Sequence, residues 1–258
     1  MSLLNTETDT RGVTTITLNR SETGNALTRA LIDEITAALV NLKSNTRILV
    51  IEGAGKHFCA GADVNWMIES AKLTTDDNKA DAMALSNMLD ALDTFTRPTI
   101  AKVHGAAFGG GAGIVSCCDI VVAAETARFA FSEVRLGLIP STISPYAIAA
   151  IGARNARHYF LTGEQMDAVD AYRLGLVHDV CSEDNLQLRV EEKIDALCKA
   201  SPTAQTQAKQ LIKDVQLKAI NNEVRESLAE GLANVRTGED AREGLTAFIE
   251  KRAPRWRW

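Results

Sequence analysis

The sequence predicts an α/β fold whose strands pair in parallel. Short β-branched runs alternate with amphipathic helical segments through about the first 180 residues, which is typical of strand–helix–strand units. From Leu186 the pattern is almost wholly helical, and Pro202 begins a C-terminal helical section that runs to about Lys251. There is no low-complexity linker. We therefore expect a core over residues 1–200 and an attached helical region over residues 201–258, without an independent second domain.

The elements of the first hundred residues follow from local patterns. Val13–Leu18 and Arg47–Glu52 are short runs rich in β-branched residues, which predict buried strands. Thr28 can cap a helix between them, because the apolar residues that follow recur with helical spacing. These residues are Leu31, Ile32, Ile35, Leu39 and Leu42. We predict, in order, a short helix over Val64–Ser70, a polar and mobile segment over Ala71–Lys79, and a long helix over Ala80–Phe95 that Pro98 ends.

The remaining elements are shorter. Thr99–Val103 predicts a strand, followed by a glycine-rich loop and a helix to about Cys118. Further along, Gly175 is placed to cap the C-terminus of a helix. The other predicted elements are strands over Ile120–Ala124, Arg128–Phe131 and Val177–Val180, a loop over Pro140–Pro145, and helices over Tyr146–Ile151, Ala153–Leu161 and Asp167–Leu174.

Composition and charge exclude several classes of protein. The chain has 258 residues, 46% hydrophobic residues and a net charge of −5, so it lacks the basic footprint of a nucleic-acid-binding or membrane-surface protein. The N-terminus shows neither a signal peptide nor a transit peptide, and no apolar run is long enough to span a membrane. Five cysteines without a CxxC pair predict reduced thiols in a cytoplasmic protein. The four histidines lack metal-binding spacing, so we expect no metal site.

The stretch Val103–Asp119 (VHGAAFGGGAGIVSCCD) holds the strongest single motif. Gly109, Gly110 and Gly111 lie between a predicted strand and a predicted helix. Such a run lets a backbone come very close to another group, and a helix N-terminus adds free N–H donors. The arrangement suits an anion or a developing oxyanion. A tight glycine-packed turn without chemistry explains the stretch equally well on its own. No Gly-Lys-Ser/Thr follows it, so it is not a nucleotide-binding P-loop.

Two further motifs accompany this stretch: Lys56–Val64 (KHFCAGADV) and Phe129–Pro140 (FAFSEVRLGLIP). Together and in this order, the three resemble the enoyl-CoA hydratase/isomerase (crotonase) superfamily, from about Val13 to the C-terminus. Within it, the segments NWM, HGAAFGGG and EVRLGLIPSTISPYAIAAIG are most similar to bacterial 3-methylglutaconyl-CoA hydratases of leucine degradation; they occupy Asn65–Met67, His104–Gly111 and Glu133–Gly152.

The resemblance implies a crotonase-like spiral of ββα turns, whose C-terminal helices pack against other subunits of a homotrimer or homohexamer. It also implies a lyase that hydrates the α,β double bond of an acyl-CoA, with no cofactor beyond the CoA of the substrate. The backbone N–H groups of Ala62 and Gly110 would hold the thioester oxygen as negative charge develops there. Glu133 would transfer the proton, since apolar neighbours can raise its pKa. Outside this resemblance, Glu133 would be read as a surface residue or as the ion-pair partner of Arg135.

The resemblance also implies where CoA binds. Its adenine would lie near the backbone of the CAGAD segment, and the pantetheine would pass Asn25, Ala26 and Leu27. Arg20, Lys56 and, from a neighbouring subunit, Lys251 or Arg252 are candidate phosphate contacts, although each alone is more typical of a solvated surface charge. The full set of expected substrate-binding residues is Asn25, Ala26, Leu27, Ala60, Gly61, Ala62, Asp63, Gly109, Gly110 and Lys251. Asp63 is also predicted to cap the helix that follows it.

One departure from the family pattern bears on the reaction. Related hydratases carry a second glutamate three residues after the middle glycine, where this chain has Gly113. Either Glu133 performs both proton transfers, or a carboxylate of the substrate helps to position water, and the space freed by Gly113 would then accommodate a branched or carboxylated acyl group. Nearby polar candidates are Ser141, Thr142, Ser144 and Tyr146. Two alternatives stay open: a Δ3,Δ2-isomerase that uses Glu133 alone and, with less support, an RNA-binding protein.

Overall fold

The computed structural model describes residues 2–42, 46–216 and 218–256. Its strands are β1 (Leu4–Thr8), β2 (Val13–Leu18), β3 (Ile48–Gly53), β4 (Thr99–Val103), β5 (Ala106–Phe108), β6 (Ile120–Ala124), β7 (Arg128–Ala130), β8 (Gln165–Asp167) and β9 (Asp179–Cys181). Its helices are α1 (Arg29–Leu42), α2 (Val64–Ser70), α3 (Thr75–Asp93), α4 (Gly110–Cys117), α5 (Ser144–Thr162), α6 (Ala168–Leu174), α7 (Leu186–Cys198), α8 (Pro202–Val215), α9 (Asn222–Thr237) and α10 (Glu239–Ile249). Short 3₁₀ turns cover Ser21–Thr23, Glu133–Leu136 and Glu183–Asn185.

Six strands form the main sheet in the order β1-β2-β3-β4-β6-β9, and β5, β7 and β8 form a second, smaller sheet. All pairs of the main sheet are parallel except β1 with β2. The central strands bury side chains on both faces, as parallel strands do: Ile16, Leu49 and Ile51 belong to the larger hydrophobic core, and Ile48 and Val50 to a smaller core under α7. The predicted α/β fold with parallel pairing is therefore confirmed.

Several predicted boundaries need correction. Residues 75–79 are helical, because Thr74 accepts a hydrogen bond from the backbone of Asp77 and starts α3 earlier than predicted. Helix α5 begins at Ser144, since a proline is compatible with a first helical turn. Its two predicted halves are joined across a kink at Gly152. The last strand lies over Asp179–Cys181, two residues later at its start than predicted, and the pattern analysis did not identify β1, β5 or β8.

The three C-terminal helices differ in how they contact the rest of the chain. Two ion pairs tie α8 to the core, Lys209 with Asp119 at 2.7 Å and Lys213 with Asp93 at 2.6 Å. Neither α8 nor α9 contains a buried residue, whereas α10 buries Ala247. Large apolar side chains are exposed along this part of the chain: Leu211, Ile212, Ile220, Leu228, Leu232, Leu245, Phe248 and Ile249. The described residues include no helix long and apolar enough to cross a membrane.

Candidate active site

Two backbone segments lie side by side and bring the CAGAD segment to the glycine loop. The Phe58 N–H donates to the His104 carbonyl at 3.0 Å, and the Cys59 N–H donates to the Ala106 carbonyl at 2.9 Å. In the opposite direction, the Phe108 N–H donates to the Cys59 carbonyl at 2.9 Å. This parallel pairing with β5 continues in register, so the next residues of the two segments, 61–62 and 109–110, come together. The strand that the pattern analysis missed therefore assembles the site.

Two glycines are required where the segments meet. Gly61 has a φ of +105° and Gly109 a φ of +48°, which side-chain-bearing residues rarely adopt. A Cβ added to Gly109 would lie 3.1 Å from the Glu133 Oε1 and 3.9 Å from the Gly61 Cα. The loop backbone thus approaches both the other segment and the carboxyl group more closely than a side chain would allow. This favours the functional interpretation of the glycine run over an inert turn.

The two expected oxyanion donors are available. Within the described parts of the chain, neither the Ala62 N–H nor the Gly110 N–H donates a hydrogen bond to the protein. Gly110 is the first residue of α4, where N–H groups have no partner inside the helix and the helix dipole is positive. Both residues are partly exposed. The geometry thus provides two neighbouring backbone donors that can face one oxygen atom.

Glu133 reaches the same place through the small sheet. Strand β7 runs parallel to β5, with Phe108 opposite Ala130, and the Gly109 N–H donates to the Ala130 carbonyl at 2.8 Å. A residue shortly after β7 therefore emerges beside the N-terminus of α4. Arg135 does not pair with Glu133, because its Nε donates to the Thr162 carbonyl on the other side. The ion-pair explanation of Glu133 is thus ruled out.

The carboxyl group of Glu133 is partly buried and lacks a partner at one of its oxygens. Its Oε2 is buried and has no hydrogen-bond partner among the described residues. Burial raises the pKa of Glu133 above its ordinary value, and only a hydrogen bond from its own backbone acts in the opposite direction. A partly buried carboxyl without a fixed partner can exchange protons with a bound molecule. Exposed apolar side chains follow it on the next loop: Leu136, Leu138 and Ile139.

The expected CoA contacts divide into two groups. Ala60 is exposed, so its backbone is accessible to a ligand. Asn25 is wholly buried, and its side chain donates to the Ala54 and His57 carbonyls at 2.8 and 2.7 Å. Leu27 is also buried and lies directly under Gly110. These buried side chains support the loop from behind, so the expected pantetheine path along Asn25, Ala26 and Leu27 stays a prediction that depends on their backbone.

The candidate phosphate contacts also need revision. Arg20 donates to the Ala26 carbonyl and to Asp63, so both of its terminal nitrogens are engaged inside the protein. Arg252 pairs with Glu243 and Glu250, each at 2.7 Å, which lowers the pKa of Glu243 to about 2. Lys56 and Lys251 remain exposed. Asp63 caps α2 as predicted, by accepting from the backbones of Asn65 and Trp66.

The space beside Gly113 is not free. A Cβ added to Gly113 would overlap the Cγ2 of Ile143 and lie 3.0 Å from the Ile143 Cβ and 3.6 Å from the Leu89 Cδ2. Ile143 is 2% exposed. The expectation that an acyl group occupies this space is therefore wrong. Sequence reasoning could not identify Ile143, because nothing in its local pattern indicates contact with a residue thirty positions earlier.

The polar candidates near Gly113 are not all well placed. Burial is the main cause that raises the pKa of Tyr146 to about 12, and the nearby Cys117, Asp90 and Asp93 raise it further. The Tyr146 side chain is partly buried and packs against the larger hydrophobic core. The Ser144 hydroxyl donates to the Ser141 carbonyl at 2.8 Å. Ser141 is exposed, and Thr142 is half-buried.

Known proteins match nearly the whole length of this chain. The family described as enoyl-CoA hydratase/isomerase matches residues 8–258. A Mycobacterium tuberculosis protein named as a probable enoyl-CoA hydratase is 38% identical over 252 residues, covering 93% of each chain. The 2,3-dehydroadipyl-CoA hydratase of Escherichia coli is 34% identical and covers 93% of this chain and 92% of its own. The crystal structure of an enoyl-CoA hydratase from Shewanella pealeana superposes with a TM-score of 0.95 at 40% identity, covering 99% of this chain and 96% of that one.

Proposed function

The chain belongs to the enoyl-CoA hydratase/isomerase family of enzymes, and from that premise we propose that it hydrates a branched, dicarboxylic enoyl-CoA, namely 3-methylglutaconyl-CoA. The observation that carries this proposal is the Glu133 carboxyl group. It is partly buried and unpaired at its Oε2, and it lies against the glycine loop where two N–H groups are free. The acyl-CoA thioester is the substrate, and the reaction requires no further cofactor or metal.

The proposed mechanism uses the two backbone donors to bind one oxygen and the Glu133 carboxyl group for two proton transfers. The N–H groups of Ala62 and Gly110 bind the thioester oxygen and stabilise the negative charge that develops on it. The Glu133 carboxylate removes a proton from water as the water oxygen bonds to the β-carbon. The carboxyl group then delivers a proton to the α-carbon, which completes the addition of water. One carboxyl group performs both transfers, because Ile143 leaves no room for a second acid at residue 113.

The dicarboxylic substrate has independent support. The Escherichia coli relative, at 34% identity, is named for 2,3-dehydroadipyl-CoA, which is a thioester of a dicarboxylic acid. The motifs at Asn65–Met67, His104–Gly111 and Glu133–Gly152 resemble those of hydratases in leucine degradation. We accordingly propose a role in leucine degradation. The five cysteines are all unpaired thiols, which supports a reducing compartment such as the cytoplasm.

A second function is favoured by one observation. Ile143 fills the position of the family's other acid, so Glu133 is left as the acid of the site. Moving a double bond from the Δ3 to the Δ2 position requires one group that carries a proton between two carbons. The alternative is therefore an enoyl-CoA Δ3,Δ2-isomerase that uses Glu133 without activating water.

A substrate panel tests both functions. Purified protein is assayed with 3-methylglutaconyl-CoA, crotonyl-CoA and 3-hexenoyl-CoA, and products are identified by mass. We expect the highest kcat/KM for the first, with a mass gain of one water. Conversion of 3-hexenoyl-CoA to an isomer of unchanged mass, without hydration of either other thioester, would establish the isomerase instead. Turnover of crotonyl-CoA alone would keep the hydratase but contradict the dicarboxylic substrate.

We also propose that the chain forms a homotrimer or a pair of trimers through residues 201–258. The support is the set of exposed apolar residues on α8–α10, two of which, Leu228 and Leu232, lie on helix α9, which buries none of its own residues. Light scattering at micromolar concentration should give three or six times the mass of one chain. Replacing Leu232 and Phe248 together by glutamate should lower that mass, because charges are costly to bury. A monomeric wild-type protein would contradict the proposal.

A further inference from the structure

Ala62 owes its orientation to the backbone on either side of it. The Leu27 N–H donates to the Gly61 carbonyl at 2.7 Å, and the Asp63 N–H donates to the Leu27 carbonyl at 2.8 Å. In a parallel pairing of this kind, the residue between the two bonds turns its own N–H away from the partner strand. The direction of the Ala62 N–H therefore depends on the two backbone hydrogen bonds that Leu27 makes with Gly61 and Asp63.

A single guanidinium group joins the two strands of this pairing. The Arg20 Nη1 donates to the Ala26 carbonyl at 2.6 Å, and its Nη2 donates to the Asp63 Oδ2 at 3.1 Å. Ala26 lies immediately before Leu27, and Asp63 lies immediately after Ala62. The other oxygen of Asp63 accepts from the backbones of Asn65 and Trp66 at 3.0 and 3.3 Å. Asp63 is thus held from both sides.

The contact is more than a surface ion pair. The side chains of Arg20 and Asp63 are only 16% and 10% exposed, so solvent screens their interaction weakly. Burial opposes ionisation of Asp63, yet its pKa is lowered, because the hydrogen bonds from Arg20, Trp66 and Asn65 outweigh that effect together. Arg20 is anchored in turn, since its backbone N–H donates to the Asn25 side chain at 2.9 Å. The planar guanidinium group of Arg20 presents its N–H donors in a fixed geometry, so it holds its two acceptors in place better than the flexible ammonium group of a lysine would.

We propose that Arg20 is a positioning residue of the active site, which aligns the Ala62 N–H with the Gly110 N–H by tying Ala26 to Asp63. This inference rests on the proposed role of Ala62 as an oxyanion donor. Arg20 does not itself touch the substrate in this role. Its loss is expected to misplace one of two donors, which weakens stabilisation of the transition state more than binding of the ground state.

The test compares Arg20→Met and Arg20→Lys with a matched control, Arg11→Met. Arg11 also bonds to carboxylates, Asp9 at 2.7 Å and Glu191 at 3.0 Å, and it contacts neither strand of the Leu27–Ala62 pairing. We expect Arg20→Met to lower kcat on crotonyl-CoA about 10- to 100-fold while KM changes less than about threefold. Arg20→Lys should lie between it and the wild type, since an ammonium group satisfies the two acceptors less well. Arg11→Met should keep the wild-type kcat.

A spectroscopic readout separates positioning from stability. Bound 2,4-hexadienoyl-CoA is examined in a Glu133→Gln background, which blocks turnover. Two aligned donors polarise its carbonyl group and shift its absorbance to longer wavelength, and Arg20→Met should remove most of that shift. If Arg20→Met does not fold, Arg20→Lys and Asp63→Asn, which keeps a capping side chain, carry the same comparison.

The outcomes are distinct. A lower melting temperature with unchanged kcat and unchanged absorbance shift in every foldable variant would overturn the positioning role. Absence of any shift with the parent Glu133→Gln protein would instead overturn the proposed oxyanion site, and with it the premise of this inference.

Discussion

Replacing Glu133 with glutamine should lower kcat by about 10²–10⁴-fold, because the change removes the group that transfers both protons but keeps its shape. Binding of the CoA thioester should remain within a fewfold of the wild type, since the Ala62 and Gly110 donors are backbone groups. Isothermal titration with a non-reacting acyl-CoA and a steady-state assay measure the two effects separately. Near-normal activity in this variant would contradict the assignment of Glu133.

The pH dependence provides a second test of Glu133. The carboxylate must be ionised to accept a proton from water, so wild-type kcat/KM should fall as the pH is lowered through its raised pKa. A carboxyl whose pKa is raised on folding destabilises the folded state at higher pH, since the unfolded chain ionises more readily. Glu133→Gln should therefore melt no lower than the wild type at neutral pH. The control Glu125→Gln changes an exposed residue. This variant should keep the wild-type kcat/KM at neutral pH and the same decrease in kcat/KM as the pH is lowered.

Replacing Gly113 with glutamate should destabilise the protein and lower its activity on every substrate. The new Cβ would overlap Ile143, which is buried between α4 and its neighbours, and overpacking of this kind typically costs about 1–3 kcal/mol. This expectation differs from that of an open glycine site, where only a carboxylated acyl group would be excluded. Melting temperature and kcat on crotonyl-CoA and 3-methylglutaconyl-CoA are measured together.

A second substitution shows whether Ile143 is the cause. Ile143 precedes the first residue of α5 at its N-cap position, where glycine is well tolerated. The loss of unfolding free energy in the double variant Gly113→Glu/Ile143→Gly should be smaller than the sum of the losses in the two single variants, because the overlap between the two side chains is gone. With a second acid at the site, its hydration of crotonyl-CoA should exceed that of Gly113→Glu alone. Strict additivity of the two stability changes would mean that Ile143 does not exclude the acid.

The sequence alone determined the features that depend on local spacing and on backbone chemistry. The alternation of β-branched runs and amphipathic helices predicted the α/β fold, because these periods follow from strand and helix geometry. The resemblance carried by the glycine run and the CAGAD segment implied Ala62 and Gly110 as oxyanion donors, a role that stays a prediction and that would not depend on side-chain identity, because the donors are backbone N–H groups. The capping role of Asp63 followed in the same way from its position before α2.

The tertiary structure alone decided what lies beside these groups. Residue identity made Arg20 a candidate phosphate contact or a solvated surface charge, but a partner 43 positions away, Asp63, holds it inside the protein. Glycine at residue 113 suggested free space, but Ile143, the residue just before α5, fills it. Asn25 has the polar side chain of a ligand contact, yet buried carbonyls engage it. Each of these outcomes depends on contacts between residues distant along the chain, which close packing of the core creates and local pattern does not encode.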